Sequence, residues 1–383
     1  MMLSTMFHSL TAPLRGKAAT AELAIAHDYL TQRGGAERVV LSMHQAFPEA
    51  TIYTTLYDPE NTYPEFKDAK IVVSPLNKVA VFRKNHRLAL PLLPIASSLL
   101  RVPAKKALVS STGWAHGFNF TGQSYIYCHS PARWLYLTDQ YLGDHSGRLA
   151  TAAIRVLRPA LIRWDQWAAR KAGPYVANST TISRRIANVY DKLADVIFPP
   201  YSVAEDAPEQ PIAGLEDFLA DGDYFLIVSR LLPYKNVDKA VEAFSGSDKK
   251  LLVIGAGPMA DELRAMSGEN VQFASNISDA ELRYAYHHCA ALLAVSYEDF
   301  GLTPLEVGSF GKPTIALHAG GYLDTITPGL NGSFIDESTP AEIRNAVFNF
   351  DAGEWDAAAI KEHMRGFSEE RFIRQLRVFL DSQ

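Results

Sequence analysis

Short apolar runs alternate along the chain with amphipathic helical patterns, in two successive series. The first series begins with "ELAIAHDYL" at residues 22–30, which predicts a buried strand, and "GGAERVVLSMHQAF" at 34–47, which predicts a helix. Further apolar runs of strand length follow at residues 50–57, 70–74, 107–112, 124–130 and 173–179. This alternation is typical of a parallel sheet that is covered by helices on both faces.

The alternation stops at "VIFPPYSVAEDAPEQPIAG", residues 196–214, where four prolines predict a linker. It resumes at residues 224–230 and continues to "GSFID" at 332–336. We therefore predict an α/β protein with two Rossmann-like, doubly wound domains that face an interdomain cleft. The predicted divisions are a flexible leader (1–20), an N-terminal domain (21–197), a linker (198–214) and a C-terminal domain (215–365). A C-terminal helix (366–383) is predicted to cross back to the N-terminal domain.

The bulk composition is that of a soluble globular protein, with 383 residues of which 48% are apolar and 21% charged. The two cysteines, Cys128 and Cys289, give no disulfide framework, which favours a reducing cytoplasm. No run approaches the ~18 apolar residues of a membrane span. No group of His, Cys and Asp has metal-ligand spacing, so the sequence predicts no metal site.

The net charge of −5 conceals a strong asymmetry between the two halves of the chain. Residues 1–200 hold 23 Lys and Arg against 13 Asp and Glu, whereas the remainder holds 14 against 29. Residues 69–138 contain no acid at all, and such a stretch attracts nucleic acid, anionic lipid or a phosphorylated substrate. Within it, residues 77–106 mix cations with apolar residues, which fits either contact with an anionic membrane or a core helix with a solvated basic face.

Candidate chemistry lies at the predicted carboxyl ends of strands. In "SRLLPYKN", Arg230 and Lys235 form a basic pair that suits a diphosphate. In "GGAE", Gly34 and Gly35 allow the backbone to approach a ligand at the start of a helix. The alternative for the basic pair is a solvated loop with ordinary charges, which the motif taken alone favours, and the alternative for the glycines is a tight turn.

Two further motifs have the same placement. "GAGP", which contains Gly257, is a degenerate phosphate-loop pattern that also fits a plain strand–helix turn. In "SYIYCHSPARW", His129 follows a predicted strand, and a single histidine of this kind is either structural or part of a cleft.

The stretch "SYEDFGLTPLEVGSFGKPTIA" holds Glu298 and Glu306 with seven residues between them. Thr303 as N-cap, Pro304 at the first helical position and Glu306 three residues after the cap predict a capping box. Capping gives Glu298 no role. Carboxylates hold hydroxyl groups through charge-assisted hydrogen bonds, so both acids are candidates for binding a sugar or a ribose.

Taken together, these motifs resemble retaining glycosyltransferases of family 4, which have the GT-B fold. The resemblance runs in family order over most of residues 22–336 and includes "GGAE", "CHSP", "VANSTTISRRIANVY", "VIFPP", "SRLLPYKN", "VIGAGP" and "HAGGYLDTI". "CHSPARWLYL" looks most like bacterial GDP-mannose-dependent mannosyltransferases of polysaccharide assembly. Ser130 stands where that group usually has Thr, and the usual Trp-Asp pair is missing.

The resemblance implies roles residue by residue. Arg230 and Lys235 match the pair that binds the donor diphosphate, Glu298 the acid facing the transferred sugar, and Glu306 the acid holding the ribose. His129 matches a histidine near the reacting sugar, and Gly34 and Gly35 match the N-terminal glycine loop beside the phosphates. The loop whose amides touch sugar and phosphate is matched by Phe300, Gly301, Leu302 and Thr303. Gly257, in the matching "VIGAGP", is a further candidate for donor binding.

The implied reaction is transfer of a hexose, best mannose from GDP-mannose, to a lipid-linked or saccharide acceptor with retention and without metal or cofactor. A polyprenyl-diphosphate-linked acceptor, peripheral contact of residues 77–106 with the inner face of the cell membrane and a cytoplasmic location are expected, and nucleic acid is not. Two alternatives stay open: a nucleotide-sugar epimerase of GT-B fold, and a non-catalytic protein that binds nucleotide sugars or nucleic acid.

Overall fold

The structure, a computed structural model, describes residues 21–137 and 148–382. The predicted leader at residues 1–20 lies outside the described residues. Two entirely parallel sheets, one of seven strands and one of six, form two α/β units in succession along the chain. The predicted architecture of two parallel-sheet α/β domains is therefore confirmed.

The first sheet has the strand order β3-β2-β1-β5-β7-β8-β9, so β1 and β5 lie near its centre. Their central pairs, from Ala24–Ala107 to Ala26–Val109, are apolar and buried, as expected for strands covered on both faces. The strands of the first domain are β1 (Ala21–His27), β2 (Thr51–Thr54), β3 (Ile71–Val73), β4 (Arg101–Val102), β5 (Ala104–Ser111), β6 (Asn119–Phe120), β7 (Gln123–Cys128), β8 (Tyr175–Ala177) and β9 (Ala194–Val196), with β4 and β6 paired separately.

Helices cover both faces of this sheet and include a short, partly exposed series between β3 and β4. The α-helices are α1 (Gly35–Ala46), α2 (Ala80–Lys84), α3 (Leu93–Leu99), α4 (Arg133–Tyr136), α5 (Arg148–Lys171) and α6 (Thr180–Tyr190). Four 3₁₀ helices accompany them, at Pro64–Asp68, Pro75–Lys78, His86–Ala89 and Ala115–Gly117.

The second sheet has the order β12-β11-β10-β13-β14-β15, in which the order reverses beside β10. Its strands are β10 (Tyr224–Val228), β11 (Lys250–Ile254), β12 (Val271–Ala274), β13 (Ala291–Ala294), β14 (Thr314–Leu317) and β15 (Gly332–Ile335). Its α-helices are α7 (Glu216–Leu219), α8 (Val237–Phe244), α9 (Ala260–Met266), α10 (Asp279–His288), α11 (Thr303–Ser309), α12 (Tyr322–Thr325), α13 (Pro340–Phe348) and α14 (Ala357–Met364), and its 3₁₀ helices are Pro233–Lys235, Ala352–Glu354 and Arg365–Phe367.

The last helix, α15 (Glu369–Asp381), packs on the first domain. Phe372 meets Tyr127 of β7 edge to face, with ring centroids 5.5 Å apart, and Phe379 meets Tyr125 in the same manner at 5.5 Å. Ser42 of α1 donates a hydrogen bond of 2.6 Å to Glu369. This apolar helix face ties the end of the chain to the N-terminal sheet.

Within the described part of the chain, no helix combines the length and the apolar character needed to cross a membrane.

Candidate active site in the interdomain cleft

The carboxyl ends of the two sheets face each other across a cleft of about 530 Å³. Ligands of open α/β sheets bind at this edge, beyond the carboxyl ends of the strands. Ten of the twelve predicted site residues line the cleft: Gly34, Gly35, His129, Arg230, Lys235, Glu298, Phe300, Gly301, Leu302 and Thr303. Gly257 and Glu306 do not line it.

Lys235 and Glu298 form an ion pair inside the C-terminal side of the cleft. The Lys235 ammonium donates to Glu298 Oε1, and Ser296 Oγ donates to the same oxygen at 2.9 Å. The two side chains are only 10% and 18% exposed. Lys235 ends a 3₁₀ turn after β10, while Glu298 follows β13, so adjacent strands bring the two residues together.

Arg230 is the exposed cation of this side, and its guanidinium donates to the Tyr234 hydroxyl at 3.1 Å. The loop before α11 turns at Gly301, where φ is +84°. A Cβ at Gly301 would lie 2.4 Å from the Tyr322 ring, so both backbone conformation and space require glycine there. Phe300 is buried and stacks on Phe198 of the linker, with centroids 5.7 Å apart.

The glycine loop of the N-terminal domain lies directly opposite. A Cβ on Gly35 would lie 3.0 Å from Leu302 Cδ1, so the two domains touch at this point. A Cβ on Gly34 would lie 2.5 Å from Glu37 Oε2. Glu37 is 2% exposed, accepts a 3.0 Å hydrogen bond from Gln32, and burial raises the pKa of its carboxyl.

His129 stands at the end of β7, where a chain of polar groups leads away from the cleft. Its Nε2 lies 2.8 Å from Ser110 Oγ, which in turn lies 3.0 Å from His27 Nδ1. Burial, together with the charge of His27, lowers the pKa of His129 from 6.5 to about 3. His129 is therefore a neutral imidazole at physiological pH.

The predicted capping box at Thr303 is wrong. Helix α11 begins at Thr303 and its N-cap is Leu302, whose side chain has no hydrogen-bond acceptor, so no side chain caps the helix. Glu306 instead accepts a 2.7 Å hydrogen bond from the Tyr286 hydroxyl. Burial raises the pKa of Glu306, and the charge of Arg38 from the other domain opposes that rise.

Gly257 does not line the cleft, and close packing explains why a glycine stands there. A Cβ there would lie 2.3 Å from the carbonyl oxygen of Leu231 and 2.8 Å from its nitrogen. The residue lets the turn after β11 pack against the chain that follows β10. The structure therefore supports the plain strand–helix turn that the sequence left open.

Three residues that the sequence analysis assigned no role join the domains beside Glu298. Asp299 is 3% exposed and accepts hydrogen bonds from Arg133 Nε at 2.5 Å and from Arg185 Nη1 at 2.8 Å. Both arginines belong to the N-terminal domain. Glu298 and Asp299 are neighbours in the sequence, but no sequence pattern indicated that distant arginines would bind Asp299.

Aromatic side chains line the N-terminal side of the cleft. Tyr29 stacks on His86 with centroids 4.2 Å apart, and Trp114 stacks on Trp134 at 5.0 Å. All four residues line the cleft, and Trp114 is the only fully buried one among these four. These rings have apolar faces and polar groups at their edges, which suits a ligand that has both apolar and polar surfaces.

Residues 216–362 match the family described as "Glycosyl transferases group 1". This segment is most of the domain that carries Lys235 and Glu298. The chain is 30% identical over 168 residues to the D-rhamnosyltransferase WbpZ of Pseudomonas aeruginosa, covering 40% of this chain and 41% of that protein. It is 27% identical over 290 residues to the human alpha-1,3/1,6-mannosyltransferase ALG2, covering 66% of each. The matches thus span less than two thirds of these relatives' own lengths.

Solved structures reproduce the whole fold at low sequence identity. Anabaena Alr3699/HepE in complex with UDP-glucose has a TM-score of 0.68 and 17% identity, covering 94% of this chain and 100% of that one. Sucrose-phosphate synthase from Thermosynechococcus elongatus has a TM-score of 0.70 and 17% identity, covering 93% and 97%. The predicted GT-B fold is confirmed.

Proposed function

We propose that this chain is a retaining glycosyltransferase that moves a hexose, with mannose from GDP-mannose as the first candidate, to a lipid-linked or saccharide acceptor. The observation that carries the proposal is the buried Lys235–Glu298 pair in the cleft, with Arg230 beside it. Cations placed where a diphosphate departs stabilise the charge that builds up in the transition state. The match of residues 216–362 supports the same assignment.

The proposed reaction breaks the bond between the anomeric carbon and the diphosphate and forms a bond to the acceptor oxygen on the same face. The acceptor's proton passes to the departing phosphate, as the family resemblance implies. Arg230 and Lys235 hold the diphosphate, and Glu298 accepts hydroxyl hydrogen bonds from the sugar. His129 is neutral, so it contacts the sugar as a hydrogen-bonding group without adding a positive charge.

The choice of donor rests on relatives. A GDP-mannose-dependent alpha-(1-6)-phosphatidylinositol monomannoside mannosyltransferase of Mycolicibacterium smegmatis is 29% identical over 161 residues, which is 37% of this chain and 42% of that protein. The GDP-mannose and the phosphatidylinositol mannoside in this relative's name, together with the human mannosyltransferase described above, support GDP-mannose as donor and a lipid-linked acceptor. No metal or cofactor has a part in the proposed reaction.

The acceptor is proposed to enter from the N-terminal side. Its sugar would rest on the cleft aromatics, of which His86 begins the 3₁₀ helix His86–Ala89. From that helix onward, large apolar side chains are exposed on the surface: Leu88 (54%), Leu92 (40%), Ile95 (59%) and Leu99 (67%). Lys84 and Arg101 are exposed in the same acid-free stretch. Apolar side chains with flanking cations favour the surface of an anionic bilayer on the cytoplasmic side.

A donor panel tests the catalytic part of the proposal. Melting temperature is measured with GDP-mannose, other GDP-sugars, UDP-sugars and dTDP-sugars, since a ligand that binds the native state raises it. The donor that stabilises the protein is then incubated with and without polyprenyl-diphosphate-linked and free saccharides. Transfer to an acceptor, with the donor's anomeric configuration kept in the product, is expected. A changed sugar without any acceptor would identify an epimerase, and RNA binding without donor binding would identify a nucleic-acid-binding protein.

Vesicle sedimentation tests the membrane part separately. The protein should sediment with phosphatidylglycerol vesicles and not with phosphatidylcholine vesicles, and I95E should weaken that binding at least tenfold. L323E changes a leucine that is 48% exposed in α12 of the other domain and is the matched control. Equal sedimentation of wild type and I95E would contradict the membrane contact and leave the transfer reaction standing.

A further inference from the structure

Three side chains with metal-binding atoms meet outside the cleft, where the linker crosses α10. Glu209 lies in the linker, and His287 and His288 end the helix. Glu209 Oε2 is 3.1 Å from His287 Nδ1, and Glu209 Oε1 is 3.0 Å from His288 Nε2. All three ligating atoms lie within 4.8 Å of one another. In residues 21–137 and 148–382, no second group of three His, Cys, Asp or Glu side chains gathers in this manner.

The protein holds the backbone of these groups in place. Arg283 donates two hydrogen bonds, of 3.0 and 2.6 Å, to the carbonyl of Pro208. On the other side of Glu209, the amide of Gln210 donates to Ala280 at 3.2 Å. The linker is therefore bonded to α10 both before and after the carboxylate.

The two imidazole rings are held as well. Tyr284 stacks on His288 with centroids 4.1 Å apart and an angle of 23°, and Phe310 contacts the ring of His287 at 5.6 Å. Rings that are already oriented lose little freedom when they bind an ion, and supported ligand orientation is what stable metal sites require.

The donor set indicates which ion would fit. Two imidazoles and one carboxylate are typical ligands of zinc, whereas calcium and magnesium prefer oxygen donors alone. Tetrahedral bonds of about 2.0–2.1 Å place neighbouring donor atoms about 3.3 Å apart. One carboxylate oxygen, Glu209 Oε1, lies 3.4 Å from His287 Nδ1 and 3.0 Å from His288 Nε2, and both distances are close to that value.

We propose that Glu209, His287 and His288 bind one zinc-class divalent ion that fastens the linker to the C-terminal domain. The side chains are 32%, 49% and 38% exposed, so the ion has a path from solvent and room for water as a fourth ligand. None of the three residues lines the cleft. The ion would therefore act on the linker, whose opposite end stacks Phe198 on Phe300 of the cleft loop.

Calorimetric titration of the full-length, tag-free, chelator-treated protein with ZnCl₂ tests the proposal. Wild type should bind one ion per chain, and its melting temperature should rise with added zinc. E209Q and H287Q should each weaken binding at least tenfold and remove the rise in melting temperature. Glutamine at position 209 keeps an acceptor for neutral imidazoles, so loss of folding is not expected.

H318Q provides the matched control, because His318 is also exposed and lies 3.2 Å from a single carboxylate, that of Asp336. It should bind zinc as wild type does. Cobalt(II) in place of zinc should give the absorption of a coordinated ion in wild type and H318Q only. Absence of 1:1 binding in wild type, or equal binding in E209Q and H287Q, would overturn the proposal and would leave the cleft assignment untouched.

Discussion

The ammonium of Lys235 is bonded to the carboxylate of Glu298, and the pair lies within the cleft, largely shielded from water. The two residues are 63 positions apart in sequence. The pair places a cation and a hydrogen-bond acceptor side by side in the cleft. A donor could replace half of this contact, with its diphosphate facing Lys235 and a sugar hydroxyl facing Glu298.

Replacing Lys235 by Ala should lower turnover by about 10²–10³-fold, because a preorganised charge that stabilises the leaving group is lost. The melting temperature should fall by only a few degrees, since Glu298 keeps its hydrogen bond from Ser296. Steady-state assays with the donor found by thermal shift measure the change. K239A is the control, because Lys239 is exposed and pairs only with its neighbour Asp238. Full activity of K235A would sink the assignment.

Glu298→Gln should reduce turnover more than it reduces stability. The amide retains the shape and can still accept from Ser296, but it loses the charge that strengthens hydrogen bonds from sugar hydroxyls. Comparison of kcat and of donor affinity by titration separates the two effects. If E298Q turned over at the wild-type rate, the carboxylate would have only the structural task of pairing with Lys235.

Asp299→Asn should weaken the contact between the domains. The carboxylate is 4% exposed and neutralises Arg133 and Arg185 from the other domain. Breaking a buried pair at one partner costs about 3–5 kcal/mol, and the exposed part of Arg133 reduces that figure. We expect a lower unfolding midpoint in urea and a lower kcat, because closure of the domains brings donor and acceptor together. D336N, at an exposed pair with His318, should change neither quantity.

Gly257→Ala should act on stability and not on donor binding. Its Cβ would press on the backbone of Leu231, which cannot move aside as a side chain can, and overpacking of this kind costs about 1–3 kcal/mol. Urea unfolding measures the loss, and titration of the folded protein with donor should give wild-type affinity. G353A is the control, because a Cβ there would meet only the Asp351 side chain, at 3.2 Å. A selective loss of donor affinity would restore Gly257 to the binding site.

His129 predicts a pH dependence of stability. Its folded pKa of about 3 lies below the value of about 6.5 for an unfolded histidine. Between these values the unfolded chain binds a proton that the folded chain does not, so stability falls as pH falls from about 6.5 towards 3. The slope from this residue is about 1.4 kcal/mol per pH unit.

Urea unfolding of wild type and H129Q between pH 4 and pH 8 measures this contribution. Above pH 7 the difference in unfolding free energy between the two proteins should be constant. Below about pH 6.5 the wild type should lose stability faster than the variant. Parallel curves over the whole range would show that His129 takes up a proton in the folded protein at its ordinary pKa.

The sequence by itself determined the alternation of elements and therefore the fold. Apolar runs such as residues 224–230 can be buried on both faces only as interior strands of a parallel sheet, and their spacing by helical patterns leaves two such sheets. It also named twelve candidate residues in motifs that follow predicted strands, and ten of them line the cleft at the carboxyl ends of the two sheets.

Local pattern was insufficient where a second segment decided the outcome. Glu306 has the spacing of a capping box, yet Leu302 begins the helical turn and Tyr286 binds the carboxylate. The glycine at position 257 has the pattern of a phosphate loop, yet it packs against Leu231.

Only the tertiary structure brought distant charged groups together. Asp299 meets an arginine 166 residues away, and Glu209 meets His287 across 78 residues of chain. Such contacts depend on how the domains and the linker pack, and no periodicity along one segment records that packing. For this reason the sequence predicted the position of the cleft, whereas the partners of its buried charges and the linker's cluster of ligands emerged only from the folded chain.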